Sequence, residues 1–319
     1  MNTLQLGTSD IQITPIIMGT WQAGKTMWTG IEDAETISAL RAAVDAGITT
    51  IDTATVYGNG HSERVIAKAL GDQRKNLVYA TKVFANQMAY DQVLASCEQS
   101  LRDLNTDWID LYQIHWPSGA FGSAIVPIEE TMRAMTDLKE QGKIRAVGVS
   151  NFSKDQIAEA MEYGRIDSLQ PPYSLFWRHL ENDAMPYCRE NDVTILAYSP
   201  MAQGILTGKF GPNHTFEKGD HRSASRLFQP ELWSRVQAAL DKLRPIAARN
   251  DISLGQLALA WIISQENACA IAGARSADQV RQNAAAGDIV LSTEDLNEID
   301  FIGRTVTDHL DDNPVMWEF

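Results

Sequence analysis

The chain has 319 residues, 44% of them hydrophobic and 21% charged, with a formal net charge of -14 and a pI near 4.8. This balance excludes a disordered polymer and supplies enough apolar side chain for a full core. So acidic a chain argues against broad contact with nucleic acid or an anionic membrane, while leaving room for one local basic pocket.

Cys97, Cys188 and Cys269 are far apart and lack CxxC spacing, so buried thiols are expected rather than a disulfide framework or a zinc site. The start, MNTLQLGTSD, has no basic region leading into an apolar core, and no apolar run reaches the roughly 20 residues needed to span a bilayer. A cytoplasmic protein is expected.

Residues 3–6 and 11–14 flank the turn-forming Gly7, Thr8, Ser9 and Asp10, predicting a β-hairpin that caps one end of the fold. After Pro15, IIMGTW is the first strand of an alternating pattern. Residues 32–46 read as an amphipathic helix stopped by Gly47, TTID as the second strand, and residues 62–70 as a second helix ending at Gly71. LVYATK is the third strand, residues 90–104 the third helix, and WIDLYQIH the fourth strand, from which Pro117 forces an exit. Residues 128–141 form the fourth helix and IRAVGVS the fifth strand; Ser153 caps a fifth helix, and SLQ is a short sixth strand stopped by Pro171 and Pro172. Residues 183–191 give the sixth helix, VTILAYS the seventh strand, residues 231–249 and 254–265 two further helices, and ACAIAG the eighth strand.

Strands alternating with helices, most of them apolar throughout, indicate a parallel sheet covered by helices on its outer side. The expected fold is α/β: a closed (β/α)8 TIM barrel with an N-terminal β-hairpin and extra helices and loops at its C-terminal side, residues 1–319 forming one domain. Two stretches break the alternation, residues 204–230 and the tail 305–319, and both read as covers over the barrel mouth. Asp311 and Asp312 in the tail read as solvated charge, and no metal site is expected.

Barrel sites are built at the C-terminal ends of the strands. Those ends carry Thr20 and Trp21, Asp52, Lys82, His115, Ser150 and Asn151, Gln170, Tyr198 and Ser199, then Gly273 with Arg275. Tyr57 follows Asp52 in a loop whose Gly58 and Gly60 permit tight turns. A phenol is a poor donor at neutral pH, and an adjacent ammonium lowers its pKa. Lys82 is expected to do this to Tyr57, Asp52 to hold Lys82 charged, and His115 to hydrogen-bond a substrate oxygen. The set suits protonation of a developing alkoxide in carbonyl reduction, and because no side chain supplies hydride, a nicotinamide is implied. Taken singly, each group has a plainer role: Asp52 and Lys82 as a structural ion pair, His115 as a core histidine, Tyr57, Tyr198, Trp21 and Trp116 as packing. Four such groups at matching strand ends weigh against that.

The ordered series of DTA and YG around Asp52 and Tyr57, GHSE at 60–63, TK at Lys82, DLYQIHWP through His115 and GKIRAVGVSN ending at Asn151 resembles the aldo-keto reductase superfamily over nearly the whole chain, with the bacterial general-stress-protein-like branch the better fit. The resemblance implies a catalytic tetrad of Asp52, Tyr57, Lys82 and His115, with Tyr57 as general acid, and NADP(H) extended across the barrel mouth. It implies Ser150, Asn151 and Gln170 at the carboxamide, Tyr198 stacked on the nicotinamide ring, and Thr20 and Trp21 close to that ring, with Gly19 and Asp52 also binding the cofactor. Residues 197–209, with Ser199, Pro200, Met201, Gly204 and Lys209, resemble the stretch that wraps the pyrophosphate. In the adenosine segment that Gly273 opens, Arg275 falls at the 2'-phosphate, Gln279 at the adenine and Asn283 at its amino group, with Gln282 standing where many members have Glu. An Arg fork suits a phosphate, so NADP is expected over NAD.

Trp21, Tyr57, His115 and Trp116 would meet a small-molecule carbonyl substrate, its pocket shaped by the loops and by the tail through Trp317. No nucleic-acid or membrane partner is implied, and oligomeric state is not legible. The alternative from another class is an NADPH-sensing regulatory barrel that acts through a protein partner, as the family's potassium-channel β-subunits do. A metal-dependent barrel hydrolase or isomerase is a third.

Overall fold

The computed structural model describes residues 1–26, 30–217, 220–311, 313 and 315; Asp312 and Trp317 lie outside the described residues. Strands β1 (Leu4–Gln5) and β2 (Gln12–Ile13) pair antiparallel as the N-terminal hairpin. Eight further strands pair in parallel and close into a barrel: β3 (Ile16–Gly19), β4 (Thr50–Asp52), β5 (Val78–Val83), β6 (Ile109–Ile114), β7 (Ile144–Ser150), β8 (Ser168–Gln170), β9 (Thr194–Ala197) and β10 (Ala268–Gly273), the last lying against β3. Around them run α1 (Asp33–Asp45), α2 (His61–Leu70), α3 (Tyr90–Leu104), α4 (Ile128–Glu140), α5 (Lys154–Met161), α6 (Ala184–Glu190), α7 (Pro230–Arg249), α8 (Leu254–Ile263), α9 (Ala277–Ala285) and α10 (Thr293–Thr307). The expected (β/α)8 TIM barrel with its N-terminal hairpin is the observed fold.

Period-two alternation gives the barrel two apolar layers. Inside, Leu6, Ile11 and Ile13 of the hairpin segment pack against the inward residues Ile17, Val78, Ala80, Leu111, Ala146, Leu196, Cys269 and Ile271, so the hairpin plugs the N-terminal end. Outside, Ile16, Met18, Ile51, Tyr79, Val83, Tyr112 and Ile114 meet the buried faces of the helices. Sealing one end leaves the opposite rim, where the strands terminate, as the place for a site.

Two helices were not read from the sequence. In α9 the buried face is only Val280, Asn283 and Ala284, too sparse an apolar stripe to announce a helix, although Ser276 caps it by accepting the Gln279 N–H. In α10, Ser292 accepts the Asp295 N–H, and Ile299, Ile302 and Val306 form a buried stripe that runs past Thr305, where the tail was expected to begin. Residues 204–230 also hold more structure than an open loop, with short turns at Ala202–Thr207, His221–Ala224 and Arg226–Phe228. Rings organise this stretch: Phe228 meets Phe216 at 4.5 Å and Trp233 at 4.7 Å, and Phe210 meets Phe216 at 5.6 Å.

Candidate active site

The alternation that builds the core also aims the site. On β5, Val78 and Ala80 face the interior, so Lys82 does too, while Tyr79, Thr81 and Val83 face the helices. The register sets Gly19 opposite Asp52, Asp52 opposite Ala80 and Lys82 opposite Gln113, so Lys82 stands two residues beyond the partner of Asp52 on β5, at the rim end of the same inward row. His115 follows β6 directly and donates its backbone N–H to Val83 O at 2.9 Å. Tyr57 reaches the rim from the loop after β4. That loop docks on the turn Trp21–Gly24, where a Cβ on Gly24 would lie 2.5 Å from the Tyr57 carbonyl carbon, so only glycine admits the approach.

Lys82 Nζ donates at 2.8 and 2.9 Å to the two Asp52 carboxylate oxygens and at 2.7 Å to Thr53 O. All three ammonium protons are thereby spent, in a pair that is buried on both sides. Asp52 Oδ2 also accepts from Gln170 Nε2 at 2.9 Å, and Gln113 Nε2 stands 3.5 Å away. Lys82 Nζ lies 5.4 Å from the centre of the Tyr57 ring, and the Tyr57 and His115 rings meet edge to face at 5.9 Å. Asp52, Tyr57, Lys82 and His115 are therefore brought together, as expected from sequence.

Their electrostatics differ from expectation in one respect. Lys82 does not acidify Tyr57, because its donors are taken by Asp52 and Thr53; burial, with the Asp52 charge, pushes the phenol well above its usual range. Burial pulls the Lys82 ammonium down, while Asp52 holds it up. Burial and the Lys82 charge push His115 well below its usual range. The arrangement is thus a buried ion pair beside a neutral phenol and a neutral imidazole. Among the described residues nothing hydrogen-bonds the Tyr57 hydroxyl, and His115 Nδ1 is buried without a partner.

The residues expected at the nicotinamide end form a continuous chain. Ser150 Oγ donates to Gln170 O at 2.7 Å, Asn151 Nδ2 donates to His115 O at 3.1 Å and to Ser150 Oγ at 3.0 Å, and the Tyr198 hydroxyl donates to Asn151 Oδ1 at 2.9 Å. Thr20 Oγ1 donates to Asp52 O at 2.9 Å, and Gly19 is flanked by Asp52 and Gly273. Further round the rim, Ser199, Pro200 and Met201 lead into the turn Ala202–Thr207, where Met201 O accepts the Gly204 N–H at 2.9 Å. Gly204 has φ 96°, and a Cβ there would stand 3.0 Å from Lys209 Nζ, so the lysine folds back over the turn.

Beside that turn the basic groups gather. Lys209 is pulled below its usual range by burial and by the charges of Arg222 and Arg275, and Arg275 by burial and Arg222, with Asp220 opposing both shifts. Asp220 clasps Arg222, accepting from its Nε at 2.9 Å. Gln279 Oε1 accepts the Arg275 N–H at 2.8 Å, Asn283 Nδ2 lies 3.5 Å from Gly273 O, and Gln282 is exposed, its carbonyl accepting from Gln256 Nε2 at 3.2 Å.

Sequence reasoning missed Gln113, Phe84, Phe121 and Arg222. Gln113 lies two residues before His115 in the same inward row of β6 and accepts from Gln170 Nε2 at 3.3 Å. Phe84 continues the inward series 78, 80, 82 and packs on His115 at 5.6 Å; it stacks on Phe121 at 5.4 Å, and Trp116 meets Phe121 edge-on at 5.1 Å. These rings wall the side of the site next to Tyr57 and His115. Alternation was a usable signal for Gln113 and Phe84; nothing local marked Arg222 or Phe121. Among the described residues no three His, Cys, Asp or Glu side chains gather to hold a metal, and no helix is long and apolar enough to cross a membrane.

Proteins similar to this chain share a family. The family described as "Aldo/keto reductase family" matches residues 15–304. Aldo-keto reductase YhdN of Bacillus subtilis (strain 168) is 36% identical over 331 residues, covering 100% of this chain and 97% of that protein. The NADH-specific methylglyoxal reductase of Escherichia coli (strain K12) is 34% identical, covering 92% and 96%. Among solved structures, glycerol dehydrogenase AKR11B4 from Gluconobacter oxydans superposes with a TM-score of 0.88 at 34% identity, covering 97% of both chains. An aldo-keto reductase from Klebsiella pneumoniae in complex with NADPH gives a TM-score of 0.77 at 30% identity, covering 100% of this chain and 99% of its own. With a match over most of its length and relatives this similar across the whole barrel, the chain belongs to the aldo/keto reductase family.

Proposed function

We propose that the protein is an NADPH-dependent reductase of aldehydes and some ketones, with Asp52, Tyr57, Lys82 and His115 as its catalytic groups. The observation that carries this reading is the meeting of a buried Lys82–Asp52 pair, a phenol with no hydrogen-bond partner among the described residues and a neutral imidazole at the ends of neighbouring strands. Reduced nicotinamide, when bound, supplies the hydride that goes to the carbonyl carbon. The chain does the rest. His115 hydrogen-bonds the carbonyl oxygen and orients it, and Tyr57 gives its proton to that oxygen as negative charge builds there. The product is the alcohol, and Tyr57 recovers its proton from solvent. Asp52 and the Thr53 carbonyl hold the Lys82 ammonium in place beside the phenol ring.

The basic cluster fits a phosphorylated coenzyme. Lys209, Arg222 and Arg275 act on one another as like charges, with Asp220 opposing, and a pyrophosphate and a 2'-phosphate are the anions that suit such a gathering of cations. Lys209 and Arg222 would hold the pyrophosphate and Arg275 the 2'-phosphate, with Gln279 and Asn283 toward the adenine and Ser150, Asn151, Gln170 and Tyr198 toward the nicotinamide. Similar proteins include both an NADH-specific enzyme and one holding NADPH; Arg275 is the reason for choosing NADPH here. Trp21 and Trp116, with the rings beside them, would line the substrate side. A cytoplasmic setting goes with this reading.

The test follows loss of reduced-coenzyme absorbance with NADPH and a panel of simple aldehydes. Turnover that saturates in both components is expected. Tight NADPH binding without turnover would favour a sensor acting through a protein partner instead, and activity that ignores NADPH but is lost to chelators would favour a metal-dependent hydrolase or isomerase.

A further inference from the structure

On the opposite face of β5 from the candidate site lies a second buried carboxyl that the proposed chemistry does not use. Glu63, in the first turn of α2, is fully buried; its Oε1 accepts from Thr81 Oγ1 at 2.7 Å, and its Oε2 has no hydrogen-bond partner among the described residues. Thr81 immediately precedes Lys82, and strand alternation sends their side chains through opposite faces of the sheet. Lys82 therefore stands between two buried carboxyls, Asp52 in direct contact within the barrel and Glu63 behind the sheet. Neighbouring Ser62 binds the same helical turn to the adjacent strand ends: Thr53 Oγ1 donates to Ser62 Oγ at 2.9 Å, and Ser62 Oγ to Thr20 Oγ1 at 2.8 Å. The start of α2 is thus fastened to β3, β4 and β5 where they deliver Thr20, Asp52 and Lys82.

We propose that Glu63 is a positioning residue for the reaction: a second buried counter-charge to Lys82, fixed behind the sheet by Thr81, that sustains the lysine as the cation of the site. This rests on the proposed role of Lys82. Glu63 is faced by Thr81 from β5, by Cys97, Ser100 and Asp103 from α3, by Tyr112 from β6 and by Arg64 on its own helix. Arg64 and Asp103 act on it with opposite signs and pair with each other at 3.0 Å. Lys82 is faced by Asp52 from β4, by Glu63, by Tyr57 and by His115 beyond β6. Burial raises the Glu63 carboxyl to about 6, so it is anionic from neutral pH upward, and its charge acts to hold the Lys82 proton.

The experiment compares pH profiles of kcat, at saturating NADPH and aldehyde, for the wild type, Glu63→Gln, Glu63→Asp and Thr81→Val. Glu63→Gln keeps the acceptor for Thr81 and removes the charge, with the amide NH2 taking the place of the unpartnered Oε2. Its alkaline limb is expected to move down by about half to one pH unit, the size of a unit charge acting across one strand at an effective dielectric of about 20. Glu63→Asp and Thr81→Val keep a carboxylate and are expected to keep the wild-type limb. A purely structural staple predicts instead that Glu63→Gln leaves the limb in place, and that result overturns the proposal. Should Glu63→Gln fail to fold, or the wild type show no reductase activity, the 13Cε resonance of Lys82 in lysine-labelled wild-type protein decides: a step tracking Glu63 near pH 6 supports the proposal and a flat response overturns it. Missing turnover by itself counts against the proposed function only.

Discussion

Strand β6 carries a buried polar network at each end, and the two are built differently. At its start, Asp110 accepts from Tyr79 N at 2.9 Å, Arg145 Nη1 at 2.8 Å and Trp108 Nε1 at 3.2 Å, and pairs with Arg74 at 2.9 Å. Arg74 in turn donates to Thr106 Oγ1, Leu77 O and Trp108 O at 2.7 to 2.8 Å, with its guanidinium lying over Tyr79 and Trp108 at 4.4 and 4.3 Å. Just beyond its other end, His115 buries an Nδ1 with no partner beside a phenol that also has none among the described residues. A network in which the carboxylate of Asp110 and the guanidinium of Arg74 are both met by several partners holds the barrel's closed end together. One left incomplete, around a single satisfied ion pair, keeps capacity for a ligand.

Paired substitutions test this contrast. Tyr57→Phe is expected to lower kcat by roughly 10²- to 10⁴-fold, the range for loss of a general acid, with NADPH affinity and unfolding free energy unchanged because the hydroxyl supports nothing else. Asp110→Asn is expected to do the reverse, lowering unfolding free energy by about 3–5 kcal/mol by leaving Arg74 buried without its counter-charge, while kcat per folded molecule stays the same. Steady-state kinetics and denaturant unfolding on both variants give the answer. A kinetic defect in Asp110→Asn matching that of Tyr57→Phe would mean the two networks are one.

How much of this could be read from the chain depends on what each feature rests on. Asp52, Lys82 and His115 were legible because each closes an apolar run, so the strand ends place them without any knowledge of neighbours. The barrel followed from the same runs, and the capping of α5 from Ser153, which accepts the Gln156 N–H at 3.3 Å. The direction of the Tyr57 shift was not legible, since it depends on where Lys82 spends its three donors, a matter of packing among β4, β5 and the Tyr57 loop. Arg222 escaped because its stretch has no period, and its place is set by ring packing among Phe210, Phe216 and Phe228.

On the rim's proposed coenzyme side, Arg275→Ala separates the expected phosphate recognition from the rest. Affinity for NADPH is expected to fall about ten- to a hundredfold, the 1.5–3 kcal/mol of a hydrogen bond to a charged group, while affinity for NADH changes little. Removing one of three mutually repelling cations is also expected to relax Lys209 back toward its ordinary range. Binding titrations with both coenzymes make the comparison; equal losses would move Arg275 off the 2'-phosphate.

The smallest effect concerns stability alone and separates Glu63 from Asp110, two buried acids on opposite sides of the completeness line. Glu63 is desolvated with one oxygen unpartnered, and burial raises its carboxyl from 4.5 to about 6, with the Thr81 and Ser100 hydroxyls opposing. An acid whose folded value lies above its unfolded value holds its proton more tightly when folded. The stability it contributes is complete below about 4.5 and is lost as pH rises through about 6. At 1.36 kcal/mol per unit, the protein is expected to lose about 2 kcal/mol across that window relative to Glu63→Gln, which has no proton to give up. Denaturant unfolding of the two proteins at either side of the window measures the difference directly. A difference that stays constant with pH would mean that Glu63 ionises as easily folded as unfolded.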